Sequence, residues 1–151
     1  MERINKKITL FLEALKTLEE GIALFYEYKI ILDKQTTDKN EQLFTSMRDS
    51  MIQRFEYCTD LFWKLVKVYL EDVERIDLPV NSPRAILREA VKARILSERE
   101  GDECMDMVQS RNKTSHTYHQ VMAEEIAHEI PQYYELMKKI IDRVMNVIAE
   151  K

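Results

Sequence analysis

Apolar residues recur at alternating intervals of four and three over long stretches of this chain, and little interrupts them: 151 residues contain only two glycines and three prolines. Ile4, Ile8, Phe11, Leu15, Leu18, Ile22 and Phe25 form one such seam. On a helix of 3.6 residues per turn that spacing lines up on one face, and no strand reproduces it. A second seam runs through Phe44, Met47, Met51, Phe55, Cys58, Phe62, Leu65 and Tyr69, and a third through Ile126, Ile130, Tyr133, Met137, Ile140, Val144 and Ile148. The run from Leu61 to Leu70 is apolar on nearly every side, so the second helix is central or meets a partner. With Glu, Lys, Leu, Ile, Met and Arg abundant between the seams, strands are not expected.

The breaks place the helix ends. A polar run from Asp33 to Asn40 ends the first helix, and Asp38 with Glu41 resembles a capping box opening the second. The segment from Asp72 to Asn81, with Pro79, reads as the longest irregular connection. Ser82 and Pro83 suit the N-cap and first turn of a third helix, since a serine oxygen accepts from a free backbone N–H and proline has none to satisfy. Gly101-Asp102 reads as the start of a short fourth helix ending near Asn112, and a long last helix begins near residue 119. Pro131 removes a donor within it, predicting a kink or a restart. The expected architecture is all-α: an antiparallel up-and-down bundle of four long helices plus one short helix, forming a single domain over residues 1–151.

Composition narrows the function classes. The net charge of -4 argues against nucleic-acid binding by the whole surface and leaves room for a local basic patch. Cys58 and Cys104 lie in apolar helical contexts without a CxxC or Cys/His cluster, and read as buried free thiols of a reducing compartment. Residues Met1 to Lys7 lead into an amphipathic pattern with no apolar core of a signal peptide, and no apolar run reaches membrane-spanning length, so a cytoplasmic protein is expected.

The periodicity fails at Arg111-Asn112-Lys113-Thr114-Ser115-His116-Thr117-Tyr118, a short connection between helices. Arg111 supplies a permanent charge and planar donors matched to phosphate oxygens, and His116 can exchange a proton near neutral pH. That pair suits metal-independent RNA cleavage: His116 would move a proton while Arg111 stabilises charge on the phosphoryl oxygens. Asn112 and Ser115 can orient the phosphate or fix the histidine tautomer, and Tyr118 can stack on a base or offer its phenolic oxygen. One histidine per chain is few for both acid and base, which a two-fold dimer pairing two motifs would remedy. The same residues also suit a hydrogen-bonded turn between helices. Arg84, Arg88 and Lys92 recur every four residues, forming a basic stripe that is either a solvated face or a phosphate-steering surface. His116, His119 and His128 complete no recognised zinc spacing with Glu124 and Glu125, so neither a metal nor a cofactor is expected.

Three segments carry a resemblance: Ile52-Gln53-Arg54-Phe55-Glu56-Tyr57 with Trp63-Lys64; Asn81-Ser82-Pro83-Arg84 followed by Arg88-Glu89-Ala90; and Arg111-Asn112 with Ser115-His116-Thr117-Tyr118. In this order they resemble the HEPN family (higher eukaryotes and prokaryotes nucleotide-binding), in its branch of nucleotidyltransferase substrate-binding proteins related to HepT-type toxins. The resemblance covers most of the chain and implies a helical bundle, usually a homodimer or higher even oligomer, encoded beside a minimal nucleotidyltransferase as partner. It implies metal-independent RNA cleavage by Arg111 and His116, with Tyr118 as an adenylylation acceptor through which the partner silences the toxin. The alternative in the same branch is a non-catalytic subunit presenting a nucleotide or other substrate to the nucleotidyltransferase. Two positions depart from the pattern: His119 stands where an acidic residue follows the tyrosine, and Cys104 where a tryptophan is frequent.

Overall fold

A computed structural model describes residues 1–34, 37–116 (His116 by its backbone alone) and 119–151. Its elements are α1 (Glu2–Leu32), α2 (Asp38–Asp72), α3 (Pro83–Lys92), α4 (Glu98–Asn112), a 3-10 turn (Lys113–His116) and α5 (Gln120–Ala149). Among the described residues there is no strand.

α1 and α2 are antiparallel along their whole length. At one end Arg3 Nη2 meets Asp72 Oδ1 at 2.7 Å, and towards the other the Phe25 and Phe44 rings lie 5.1 Å apart. Between these points Ile4, Phe11, Leu15, Leu18 and Phe25 are buried, as the first seam predicts, against the seam of α2 from Met51 to Tyr69. α5 covers the pair: Tyr133 stacks on Phe55 at 5.8 Å, and the Tyr134 hydroxyl donates to Glu19 of α1. α4 runs antiparallel to α5, with Glu100 beside Arg143 and Ser110 beside Glu129. The bundle helices are therefore α1, α2, α4 and α5, and the short helix is the third rather than the fourth.

The caps explain that difference. α3 ends after 10 residues in a Schellman motif, with Arg94 in the left-handed region at φ 63°, its N–H on the Val91 carbonyl and the Ile95 N–H on the Ala90 carbonyl. α4 then starts at Glu98, ahead of Gly101-Asp102, because Ser97 and Glu100 form a capping box. The Ser97 hydroxyl accepts from Glu100 N–H at 3.1 Å, and Ser97 N–H donates to Glu100 Oε1 at 2.8 Å. Ser82 caps α3 as its sequence predicts, accepting from Ala85 N–H at 3.3 Å. At α2 the cap is Thr37, which accepts from Asn40 N–H at 3.2 Å; Asp38 is already the first helical residue and Glu41 does not act in a box. α5 runs unbroken through Pro131, so the expected restart does not occur; packing of Ile126, Ala127, Ile130 and Tyr133 on the core outweighs one missing backbone bond.

Glu100 does more than cap. Its carboxylate receives both Arg143 Nη groups, at 2.8 and 2.9 Å, and Lys139 Nζ at 3.1 Å, while Arg143 also donates to the Ile95 carbonyl. The Arg143 hydrogen bonds hold this buried carboxyl well below the usual carboxylate range, against the opposing effect of desolvation. A depressed pKa contributes stability that is complete above the unfolded-state value and is lost as pH falls through and below it. Glu100→Gln should accordingly lower stability by about 2 kcal/mol at neutral pH, and the deficit should shrink in denaturant titrations carried below pH 4.5; a deficit independent of pH would contradict the assignment. Gly101 sits at the α3–α4 contact, where an added Cβ would fall 2.5 Å from Val91 Cγ2. Gly101→Ala should thus destabilise by about 1–2 kcal/mol in thermal melts, although alanine is the better helix former.

Candidate functional site

The C-terminal end of α4 is tied down on two sides immediately before the motif turn. Towards α2, Arg111 Nε and Nη2 reach the two oxygens of Asp60 at 3.0 and 3.1 Å, a bidentate pair. Arg111 Nη1 donates to Thr114 Oγ1 at 3.1 Å and lies 3.5 Å from Glu56 Oε2. Glu56 and Asp60 are one helical turn apart on α2, which brings both carboxylates to the same guanidinium. The Asp60 hydrogen bond raises the Arg111 pKa further, so this arginine keeps its charge throughout the accessible pH range. Towards α5, Ser110 Oγ donates to Glu129 Oε2 at 2.5 Å, and the Tyr133 hydroxyl lies 3.4 Å from both atoms. Burial, above all, raises the Tyr133 phenol above its ordinary pKa, so it acts as a neutral hydrogen-bonding group.

The turn itself is closed by short-range bonds. Buried Thr114 donates its hydroxyl to the Arg111 carbonyl at 2.7 Å while accepting from the Arg111 side chain. Exposed Ser115 donates to the carbonyl of exposed Asn112 at 3.4 Å. His116 ends the 3-10 turn, two residues beyond Thr114. The acceptor expected at Tyr118 lies outside the described residues, as does Thr117. α5 begins at Gln120, which lines an open groove of 960 Å³ together with Lys29, Asp33 and Asp38, where α1 turns into α2. The motif segment therefore leaves α4 beside the middle of α2 and enters α5 at the α1–α2 turn.

Arg84, Arg88 and Lys92 do not join Arg111. They line a separate cleft of 580 Å³ between α3 and α4, whose α4 side includes Gln109. Gln109 and Arg111 are two residues, or about 200°, apart around α4, so the cleft and the Arg111 pair occupy different faces of that helix. Cys58 and Cys104 are buried, and burial pushes both thiols up to about 12, which keeps them protonated. Among the described residues no group of three His, Cys, Asp or Glu side chains converges as a metal site would require, and no helix is long and apolar enough to cross a membrane.

Asp60, Glu56, Thr114, Ser110, Glu129 and Tyr133 are absent from the sequence-based site. Their signal is faint: Glu56 and Asp60 are an acidic i,i+4 pair on a helix otherwise rich in apolar residues, but the partner of Asp60 lies 51 residues further along the chain.

The family of nucleotidyltransferase substrate binding protein-like chains matches residues 6–146. Among curated protein sequences, none matches. Solved structures share the fold. A Thermus thermophilus protein is 29% identical with a TM-score of 0.63, covering 84% of this chain and 98% of its own. Haemophilus influenzae HI0074, which has the fold of a substrate binding domain of a nucleotidyltransferase, is 21% identical with a TM-score of 0.77, covering 91% and 98%. A tri-AMPylated Shewanella oneidensis HEPN toxin, solved in complex with its MNT antitoxin, is 17% identical with a TM-score of 0.68, covering 95% and 96%. With nearly the whole chain matched, this protein belongs to the nucleotidyltransferase substrate-binding protein-like family, and it shares the helical-bundle fold of these solved structures.

Proposed function

We propose that residues 1–151 form a single-domain HEPN component of a two-gene module, acting as a toxin-like, metal-independent ribonuclease under the control of a partner nucleotidyltransferase. The observation that carries this reading is the Arg111 pair: a permanent cation is fixed by Asp60 and Thr114 at the base of the turn that bears His116. A fixed guanidinium loses little entropy on meeting a phosphoryl group, and its charge stabilises the dianionic transition state.

In the proposed reaction His116 takes the proton of the RNA 2′-hydroxyl. The 2′-oxygen then bonds to phosphorus as the bond to the 5′-oxygen breaks, and that leaving oxygen takes a proton from a protonated histidine, either His116 itself or the second copy that a dimer supplies. The products are a 2′,3′-cyclic phosphate and a free 5′-hydroxyl. Two histidines serve such a scheme better than one, so a homodimer with its motifs across a shared cleft, or a higher even oligomer, is part of the proposal. Asn112 and Ser115 complete the turn and would orient the phosphate. Tyr118 is the proposed adenylylation acceptor: a nucleotide attached there would fill the cleft and repel RNA phosphates. The HEPN toxin that shares the fold is itself AMPylated and bound to its antitoxin, which supports a nucleotidyltransferase partner here.

A second reading has its own observation. Asp60 and Glu56 already oppose the Arg111 charge, which lowers the attraction for RNA and suits a non-catalytic subunit that presents a nucleotide or substrate to the nucleotidyltransferase; HI0074, which shares this fold, has the fold of a substrate binding domain of a nucleotidyltransferase.

The purified protein should cleave single-stranded RNA in excess EDTA and leave cyclic phosphate ends. His116→Ala should lower the rate by about 100-fold or more, and equal residual rates in the two proteins would leave the binding-subunit reading. Incubated with the partner and ATP, the wild type should gain the mass of AMP and Tyr118→Phe should not; the same gain in both would move the acceptor to another residue.

A further inference from the structure

Arg111 meets two carboxylates of α2, and they hold it in unlike ways. Asp60 takes Nε and Nη2 through two hydrogen bonds at 3.0 and 3.1 Å, and Thr114 takes one N–H of Nη1 at 3.1 Å. A guanidinium has five N–H groups, so two remain, one on each Nη. Glu56 Oε2 stands 3.5 Å from Nη1, beyond the usual span of an N–H···O bond. The Asp60 hydrogen bond is the largest influence raising the Arg111 pKa, and the Glu56 charge the smallest. Among the described residues Arg111 is the one ion-pair partner of Glu56, and 32% of the Glu56 side chain is exposed. An ion pair so open to water is weak, and its carboxylate can turn to solvent without disturbing the core.

The position of Glu56 matters as much as its looseness. The motif turn leaves α4 beside Asp60 and reaches α5 at the groove lined by Asp38, Thr45 and Gln120. Glu56 lies one turn from Asp60 towards that groove, about 6 Å along α2, and so on the side of Arg111 towards which His116 is carried. A phosphoryl group shared by Arg111 and His116 needs that same place. Two anions at hydrogen-bonding distance repel, so phosphate and the Glu56 carboxylate exclude one another there. Asp60, on the far edge of the guanidinium, competes with neither.

We propose that Glu56 stands in for the substrate phosphate in the free protein: its carboxylate covers the outer N–H groups of Arg111, and the arriving phosphate displaces it while Asp60 stays bound. Asp60 is then a positioning residue and Glu56 a competitor, two carboxylates one turn apart with opposite effects on one cation. The exchange moves no proton and breaks no covalent bond. Because one anion replaces another, the net gain at Arg111 is small, and further contacts along the strand supply the affinity. The inference rests on the ribonuclease reading for the identity of the ligand, and its test separates the two.

Fluorescence anisotropy of a labelled single-stranded oligoribonucleotide on the His116→Ala protein reads binding without cleavage. Glu56→Gln, which keeps the side-chain size and removes the charge, should tighten binding about fivefold at low salt, with circular dichroism verifying the fold. The gain should vanish in an Arg111→Ala background. With His116 intact, Glu56→Gln should lower KM with kcat within about twofold, whereas Asp60→Asn should lower kcat by about tenfold or more as the guanidinium loses its orientation. Equal or weaker RNA binding by Glu56→Gln would overturn the proposal, and if the wild type still cleaved RNA the ribonuclease reading would survive it. An equal gain without Arg111 would also overturn it, since that would mean only a less negative surface. Tighter binding by Glu56→Gln through Arg111, in a protein that cleaves nothing, would uphold the competitor and remove the ribonuclease.

Discussion

A buried carboxylate holds the working half of this molecule in place. Glu100 closes the N-terminal cap of α4, draws Arg143 and Lys139 from α5, and through Arg143 reaches the carbonyl of Ile95 at the end of the α3 connection. Burying an ionised carboxyl is unfavourable unless its lone pairs are met, and here they are met by three residues, Ser97 at the start of α4 and Lys139 and Arg143 of α5. The geometry is consequently exacting. Shifting α4 along its axis would strand either the cap or the ion pair, so the helix that carries Arg111 has one position relative to α3 and α5.

From that anchored start α4 runs to a second set of constraints at its other end, where Ser110 and Arg111 turn opposite ways. Ser110 is held by Glu129 and Tyr133 of α5, and Arg111 by Asp60 and Glu56 of α2. Neighbouring residues on a helix point about 100° apart, so two adjacent side chains can bind two different partners. The motif turn thus starts from a base fixed on both flanks. The carboxylates that fix Arg111 also temper its charge, and a phosphate arriving there would meet a guanidinium whose orientation is set and whose field is partly cancelled.

Much of the fold can be read in the chain because burial imposes a period. Phe11, Leu18, Phe55, Phe62 and Ile140 occupy the interior that their spacing predicts, and Ser82 with Pro83 marks a helix start by local chemistry alone. What escapes is what depends on distance or on competing local signals. Ser97-Glu98-Arg99-Glu100 reads as a polar connection, and Gly101-Asp102 after it looks like a boundary. The capping box of Ser97 with Glu100, anchored by the pairing of Glu100 with Arg143 43 residues away, makes that stretch the first turn of α4. At the site, Arg111 and the backbone position of His116 follow from the motif, while Asp60 is invisible: an acidic residue on a long helix is ordinarily solvated, and nothing local announces a partner 51 residues on.

Both glycines lie inside helices, at Gly21 against Arg54 and Gly101 against Val91, and neither serves a turn. The left-handed positions that end α2 and α3 fall instead to Arg75 and Arg94, at φ 60° and 63°. A non-glycine residue there is strained by about 1–2 kcal/mol, and the hydrogen bonds of Arg94 and Ile95 back onto α3 hold it in that conformation. The short link from α3 to α4 is therefore stiff as well as short. It behaves as a rigid bracket rather than a hinge, so the separation between the two helices it joins is a property of the backbone before any ligand arrives.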